Sequence, residues 1–149
     1  MEFRLGELFC GPGGIGYAAI TAKIADPDYR IVHAWANDYD KDTCDTFIKN
    51  IAKDETTVIC KDIRKLNYNA LQEISNIDAL AFGFPCNDFS VVGEQKGIDG
   101  NFGPLYSYGV KALKKFNPVW FLAENVGGLK NANDCRAFSK ILNDMFKAG

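Results

Sequence analysis

Gly83-Phe84-Pro85-Cys86-Asn87-Asp88-Phe89-Ser90 follows directly on Ile77-Asp78-Ala79-Leu80-Ala81-Phe82, an apolar run that reads as a buried β-strand. Further along, Glu124-Asn125-Val126 follows a second such run, Val119-Trp120-Phe121-Leu122-Ala123. A third strand-like segment, Leu5 to Phe9, opens into Phe9-Cys10-Gly11-Pro12-Gly13-Gly14. Open α/β sheets bind ligands at the carboxyl ends of their strands. A thiol, a carboxylic acid and a glycine loop are therefore expected at one sheet edge.

Strand-like and helix-like segments alternate along the chain, which predicts an α/β fold with a mainly parallel sheet and helices on both faces. After the glycine loop a helix is expected through about Ala25, and Asp26-Pro27-Asp28 makes a turn. Ile31 to Ala36 is the second strand, Lys41 to Ile51 the second helix and Thr57 to Cys60 a short third strand. Tyr68 to Ile74 and Leu105 to Phe116 read as helices on either side of the fourth strand. Val91 to Pro104 holds Gly93, Gly97, Gly100 and Gly103 and reads as a mobile loop. Phe138, Ile141, Leu142, Met145 and Phe146 give a last helix, from about Asp134 to Lys147, one apolar face, with Gly149 as its C-cap. Such a crossover helix normally leads to another strand. None follows, so the sequence is expected to stop inside a fold, with one domain and no internal boundary.

With 149 residues, 47% of them hydrophobic, the chain can bury one sizeable core. No apolar run approaches the roughly 20 residues of a membrane span. The start, Met1-Glu2-Phe3-Arg4, lacks the pattern of a signal peptide, so a cytosolic protein is expected, or a nuclear one in a eukaryote. Five cysteines with no Cys-x-x-Cys pair speak against a disulfide framework and a zinc site. Cys10, Cys44, Cys60 and Cys135 read as small buried hydrophobes. The single histidine, His33, sits inside a strand, which disfavours Cys–His and Ser–His–Asp chemistry. A net charge of −2 shows no basic face of the kind that phosphate contacts require. If nucleic acid is the substrate, the surface that grips it lies mostly elsewhere.

Read singly, each motif has a plain structural alternative. Glycines at a strand-to-helix turn let backbone approach a ligand, but tight turns use them without binding anything. The spacing Gly11-x-Gly13-x-x-Gly16 also traces a dinucleotide fingerprint, so a nicotinamide cofactor stays open on motif alone. In Asn37-Asp38-Tyr39-Asp40, Asp40 reads as the cap of the second helix and Asp38 as an acid placed for ribose hydroxyls, with Tyr39 beside adenine. Asp62-Ile63 could meet an adenine amino group. Pro85 stiffens the chain before Cys86, and a helical turn after it would stabilise a thiolate. Glu124, at the mouth of an apolar strand, is expected to be partly desolvated and so suited to proton donation. Asn125 could orient that acid or a substrate.

Together, in this order and spacing, these motifs resemble the cytosine-5 DNA methyltransferase family. The resemblance runs from Leu8 to about Leu129 and includes Ser90 and Gly93-x-Gln95-x-Gly97, similar to a loop that closes over an extruded base. Asn87 departs from the Gln most members carry there. The resemblance implies a Rossmann-like S-adenosylmethionine-dependent methyltransferase fold, C-terminally incomplete. It implies Cys86 as the nucleophile behind Pro85, and Glu124, beside Asn125, as the group acting at ring nitrogen 3. It further implies that Phe9, Gly11, Gly13 and Gly14 hold the methionine portion of S-adenosylmethionine. Asp38 would take the ribose, with Tyr39, Asp62 and Ile63 around the adenine and Phe84 and Leu105 beside the cofactor. S-adenosylhomocysteine would be the product and double-stranded DNA the partner, in DNA methylation of the restriction-modification kind. The family's arginine-rich motif, target-recognition region and C-terminal helix have no counterpart within these 149 residues. A truncated form or one subunit of a split enzyme is therefore expected. A non-catalytic S-adenosylmethionine-binding module and an RNA cytosine-5 methyltransferase are the alternatives.

Overall fold

The computed structural model describes residues 1–23, 26–85, 105–131 and 136–149. Strand β1 (Glu2–Leu8) is the centre of a five-stranded sheet with β2 (Arg30–Asp38), β3 (Val58–Cys60), β4 (Ala79–Gly83) and β5 (Trp120–Glu124), in the order β3-β2-β1-β4-β5. The pairs β1–β2, β1–β4 and β2–β3 are parallel. Parallel neighbours need crossovers, supplied by helices α1 (Gly14–Thr21), α2 (Lys41–Asn50), α3 (Tyr68–Ile74) and α4 (Tyr106–Phe116). A fifth helix, α5 (Arg136–Phe146), follows a 3₁₀ turn over Gly127–Asn131. The strand order reverses between β1 and β4, which is the switch point where such sheets open a crevice. Among the described residues no helix is long and apolar enough to cross a membrane.

The chain divides into two compact units, Met1–Phe82 with Pro118–Leu122, and Gly83–Asn117 with Ala123–Gly149. In the first, alternation along β1 sends Leu5 and Glu7 to one face and Gly6 and Leu8 to the other. Ile15 and Ala19 of α1 pack on Leu5, Ala79 and Ala81, while Phe47 of α2 joins Ala36 and Val58. On the opposite face the Trp35 ring lies against Gly6, where any Cβ would come within 2.5 Å of it, and its Nε1–H donates to the Ser75 carbonyl at the end of α3. A register shift between Leu5 and Gly6 leaves Ala34 as the extra residue of β2. His33 and Trp35 thereby reach opposite faces despite their spacing of two.

The second unit is built on α4 and α5. Tyr106, Val110 and Leu113 are buried, as are Ala137, Ile141 and Met145. The Tyr106 hydroxyl donates to Asp144 at 2.7 Å, and Lys140 pairs with the same carboxylate.

Several boundaries move from those expected. β1 and β2 are longer, while α1 stops at Thr21 where Ala22 turns extended. Lys147 and Ala148 form a turn after α5, so Gly149 lies past the cap position. The β5 run is not buried: Val119 is 77% exposed and Leu122 46%. β5 is an edge strand here, and its apolar composition reports what it could pack against rather than what covers it. Cys60 is likewise exposed, being the last residue of the strand at the opposite edge, whereas Cys10 and Cys44 are buried as expected. The end of the first helix at Ala25, the Val91–Pro104 loop, Cys135 and the start of the last helix at Asp134 lie outside the described residues.

Asp40 is the cap of α2, its Oδ1 accepting the Thr43 N–H at 2.9 Å. Replacing an N-cap carboxylate by Ala removes that acceptor. Asp40→Ala should cost about 1 kcal/mol in urea denaturation, with an unchanged slope against denaturant.

Candidate functional site

The loop after β1 leaves the sheet by a sharp turn. Phe9 has φ 55°, an uncommon conformation for a bulky residue and a local strain of the kind that collects at ligand sites. The Cys10 N–H donates to the Asn37 carbonyl and the Gly13 N–H to the Cys10 carbonyl, both at 3.1 Å, which pins the turn. Gly13 has φ 100°, and a Cβ there would stand 2.1 Å from Ile51 Cδ1. Around the positions a Cβ would take on Gly11 and Gly14 there is open space. The loop therefore packs one side of its backbone on α2 and presents bare backbone on another.

Asp38 holds this loop in register. Its Oδ2 accepts the Gly11 N–H at 2.9 Å and its Oδ1 the Asp40 N–H at 3.1 Å. Next to it, Asn37 is buried and donates to the carbonyls of Ile59 and Lys61, tying the end of β2 to β3. The Lys61 N–H donates back to the Asp38 carbonyl at 2.7 Å. Tyr39 projects into solvent, 75% exposed. Asp62 caps a 3₁₀ turn through the Arg64 N–H, and the Arg64 guanidinium on its carboxylate holds its pKa down at about 2. Ile63 is buried. The first unit thus brings together Phe9, Gly11, Gly13, Gly14, Asp38, Tyr39, Asp62 and Ile63.

The second unit gathers the other group. Phe84 is buried against Tyr106, with ring centroids 6.2 Å apart. The Asn125 side-chain amide donates to the Phe84 carbonyl at 2.8 Å, and its Oδ1 accepts the Val126 N–H. Asn125 is thus a clasp between the segment that carries Glu124 and the residue just before Pro85. Gly83 leaves room for Glu124, whose Oε2 would lie 3.2 Å from a Cβ there. Phe84, Ala123, Asn125 and Leu129 are among the residues lining a cavity of about 180 Å³ in this unit. Leu105 is half-buried at the start of α4. Glu124 is exposed, which corrects the expected desolvation: the run before it is an uncovered edge strand, so the carboxyl group meets water. Cys86 lies outside the described residues.

The family profile described as C-5 cytosine-specific DNA methylase matches residues 3–149. The chain belongs to this family. The Type II methyltransferase M.BbvI of Brevibacillus brevis is 54% identical over 100% of this chain and 41% of its own length. M.NgoFVII of Neisseria gonorrhoeae, also a Type II methyltransferase, is 36% identical over 96% of this chain and 35% of its own. This C-5 methylase chain therefore spans well under half the length of these curated relatives. Among solved structures, the S. pombe Dnmt2 methyltransferase matches with a TM-score of 0.67 at 20% identity, covering 97% of this chain and 41% of that one. The Entamoeba histolytica methyltransferase EhMeth also gives 0.67, at 18% identity, covering 99% and 44%. At these identities the structures establish a Rossmann-like methyltransferase fold for the methylase chain.

Sequence reasoning missed one buried acid in the first unit. Glu7 is only 2% exposed, one residue before the end of β1 and beneath α1. A lone acid inside Leu5-Gly6-Glu7-Leu8-Phe9 was the available signal. Burial raises its pKa from 4.5 to about 7, and a backbone hydrogen bond from Gly16 partly offsets that rise. The same burial raises the Cys10 thiol, and raises Cys44 to about 12, so neither is a nucleophile near neutral pH.

The folded chain keeps the Glu7 proton to higher pH than the unfolded chain does. Its contribution is therefore fully present below pH 4.5 and is lost as pH rises to about 7, a fall of about 3 kcal/mol. Thermal denaturation across this range should show that slope in wild type and its absence in Glu7→Gln. A Cβ on Gly16 would come within 2.3 Å of Glu7 Oε1, so Gly16→Ala should lose about 1–3 kcal/mol in urea denaturation.

Proposed function

We propose that this chain carries the cofactor-binding and catalytic portion of a DNA cytosine-5 methyltransferase that uses S-adenosylmethionine. The observation that supports this best is the Asn125 clasp on the Phe84 carbonyl, in a chain of the C-5 methylase family. It fixes the Glu124 segment against the strand end from which Pro85 and Cys86 depart.

The first unit's residues fit the cofactor. The bare backbone at Gly11 and Gly14 allows close approach, and the amides at the start of α1 suit a carboxylate. Asp38 offers a carboxylate for ribose hydroxyls, and the exposed Tyr39 ring can lie on adenine. When bound, the cofactor supplies an electrophilic methyl group on a sulfonium. Asp62 and Ile63 flank the adenine in this reading.

Cytosine carbon 5 is a poor nucleophile until the ring is activated. The Cys86 thiolate adds at carbon 6, and Glu124 donates a hydrogen bond or proton at nitrogen 3, turning the ring into an enamine. Carbon 5 then takes the methyl group; loss of its proton to a base restores the double bond and expels the Cys86 thiolate. The base must leave the duplex for the thiolate to reach it. Asn125 keeps Glu124 and Pro85 in step, and Pro85 limits the freedom of the nucleophile.

Target recognition is assigned to polypeptide beyond these 149 residues, in the same chain or a second subunit. Two facts support this: the net charge of −2 and the coverage of only 41% of M.BbvI. The chain alone should bind S-adenosylmethionine weakly and methylate DNA poorly; robust sequence-specific methylation by it would refute the assignment. Supplied with the remaining part of the M.BbvI sequence and a duplex containing 5-fluorocytosine, it should form a covalent adduct. Cys86→Ala should abolish that adduct, and Glu124→Gln should slow its formation by about 10²-fold or more.

A further inference from the structure

Asn37 places an amide where water does not reach, being 1% exposed between Ala36 and Asp38 at the end of β2. Such a group stays inside only when its polar atoms are served. Its Nδ2 donates to the Ile59 carbonyl at 2.7 Å and to the Lys61 carbonyl at 2.8 Å, with a longer contact of 3.4 Å to the Asp38 carbonyl. All three are acceptors, so the nitrogen end of the amide must face them. The bond to Lys61 fills a gap in the sheet. Asp38 pairs with Cys60 and the Lys61 N–H donates to the Asp38 carbonyl, so a regular parallel ladder would return a bond from the Asp40 N–H to the Lys61 carbonyl. The Asp40 N–H is instead taken by Asp38 Oδ1, as the chain turns into α2. The Asn37 side chain supplies the missing donor. Its backbone carbonyl meanwhile accepts the Cys10 N–H from the glycine loop. One residue thus joins the loop after β1, the end of β2 and the segment that leads into Asp62-Ile63.

We propose that Asn37 is a positioning residue for the adenosine half of the cofactor: its side-chain amide fixes Lys61, and with it Asp62 and Ile63, at a set distance from Asp38 and Tyr39. The statement rests on the function proposed above, in which Asp38 takes the ribose and Asp62 and Ile63 flank the adenine. A ligand whose sugar sits on one strand end and whose base sits beside the next binds well only if the two ends are held at the matching spacing. The sheet alone holds them poorly. β3 is three residues long and lies at the edge, so few ladder bonds reach its end. Without the Asn37 bonds the Lys61–Ile63 segment is tied to β2 chiefly through the Lys61 N–H, and the cost of ordering it falls on ligand binding. Among side chains this short, asparagine alone carries two donors on one atom. An aspartate there would aim oxygen at carbonyl oxygens, and a leucine would leave the Lys61 carbonyl unserved. Asn37 meets no ligand itself, because its amide is committed to β3.

The test titrates the ¹⁵N-labelled chain with adenosine and, separately, with S-adenosylhomocysteine, reading affinity from the amide shifts. Asn37→Asp keeps the shape of the side chain and replaces the donor pair by an acceptor. It should weaken both ligands about ten-fold or more, and by the same factor, since the loss falls on the half they share. Before any ligand is added, its amide shifts should differ from wild type most at Lys61, Asp62 and Ile63. Asn37→Ser retains one donor on a shorter arm and should lose less, again equally for both ligands; if Asn37→Asp does not fold, Asn37→Ser decides. A folded variant that binds both ligands as wild type does overturns the proposal. So does a loss confined to S-adenosylhomocysteine, or one accompanied by shifts spread evenly over the sheet, which is what a merely loosened fold would give. If wild type binds neither ligand while the Asn37→Asp shifts still centre on Lys61–Ile63, the clasp on β3 stands and the cofactor reading falls instead.

Discussion

Parallel pairing of β1 on both of its edges is the constraint from which the rest follows. With β2 on one side and β4 on the other, β1 has no free edge, and its side chains must serve two buried faces. The chain cannot fold straight back beside it, because both neighbouring places are taken. It must leave the sheet at Leu8 and turn at once into a helix lying across one face. That turn is made with Phe9 at positive φ and with Gly11 and Gly13 at φ 52° and 100°, so the backbone is bent where few residue types are comfortable. A loop of this kind is expensive to hold unless its amides find acceptors. Asn37 and Asp38, at the end of the neighbouring strand, supply two of them.

The same economy explains why one strand end can serve several purposes. Asp38 bonds the glycine loop with one oxygen and the start of α2 with the other, while Asn37 reaches across to β3. Removing either would loosen three segments together rather than one. Asn125 plays the corresponding part in the second unit, where its amide bridges residues 41 positions apart in sequence. In both units a short polar side chain at the end of a strand or just past it adds to the backbone pairing where the sheet runs out.

Alternation of apolar runs with amphipathic segments made the five strands and five helices readable, because a short apolar run between turn signals marks a strand whether or not it is covered. The capping role of Asp40 was equally legible, since the acid stands directly before a helical pattern. What could not be read was anything decided by neighbours distant in sequence. Val119-Trp120-Phe121-Leu122 has the composition of a central strand and lies at an edge; composition records hydrophobicity, and position in the sheet decides exposure. Glu124 is exposed for the same reason, since a strand at the edge does not shield the residue at its end. Asn125 could be placed beside the acid, but its partner, the Phe84 carbonyl, is visible only in three dimensions. The register shift beside Ala34 has no marker in the sequence, and neither does the strain at Phe9.

Caps divide the helical termini of this chain into two kinds. Asp40, Asp54, Asp62 and Asn67 each turn a side-chain oxygen onto the first turn that follows, and those termini are electrostatically spent. α1 and α4 begin at Gly13 and Leu105 with no such bond. A glycine at the start of α1 forgoes only roughly a few tenths of a kcal/mol relative to a capping side chain, and it exposes amide donors whose partial positive charge remains available. An Asp or Ser at position 13 would serve the helix better, but it would be strained at φ 100° and would collide with Ile51. The start of α1 is therefore left without a capping side chain of its own. The outer side of the loop is left as bare backbone, with open space where side chains on Gly11 and Gly14 would stand. The missing cap and the openness of the loop are two aspects of one solution.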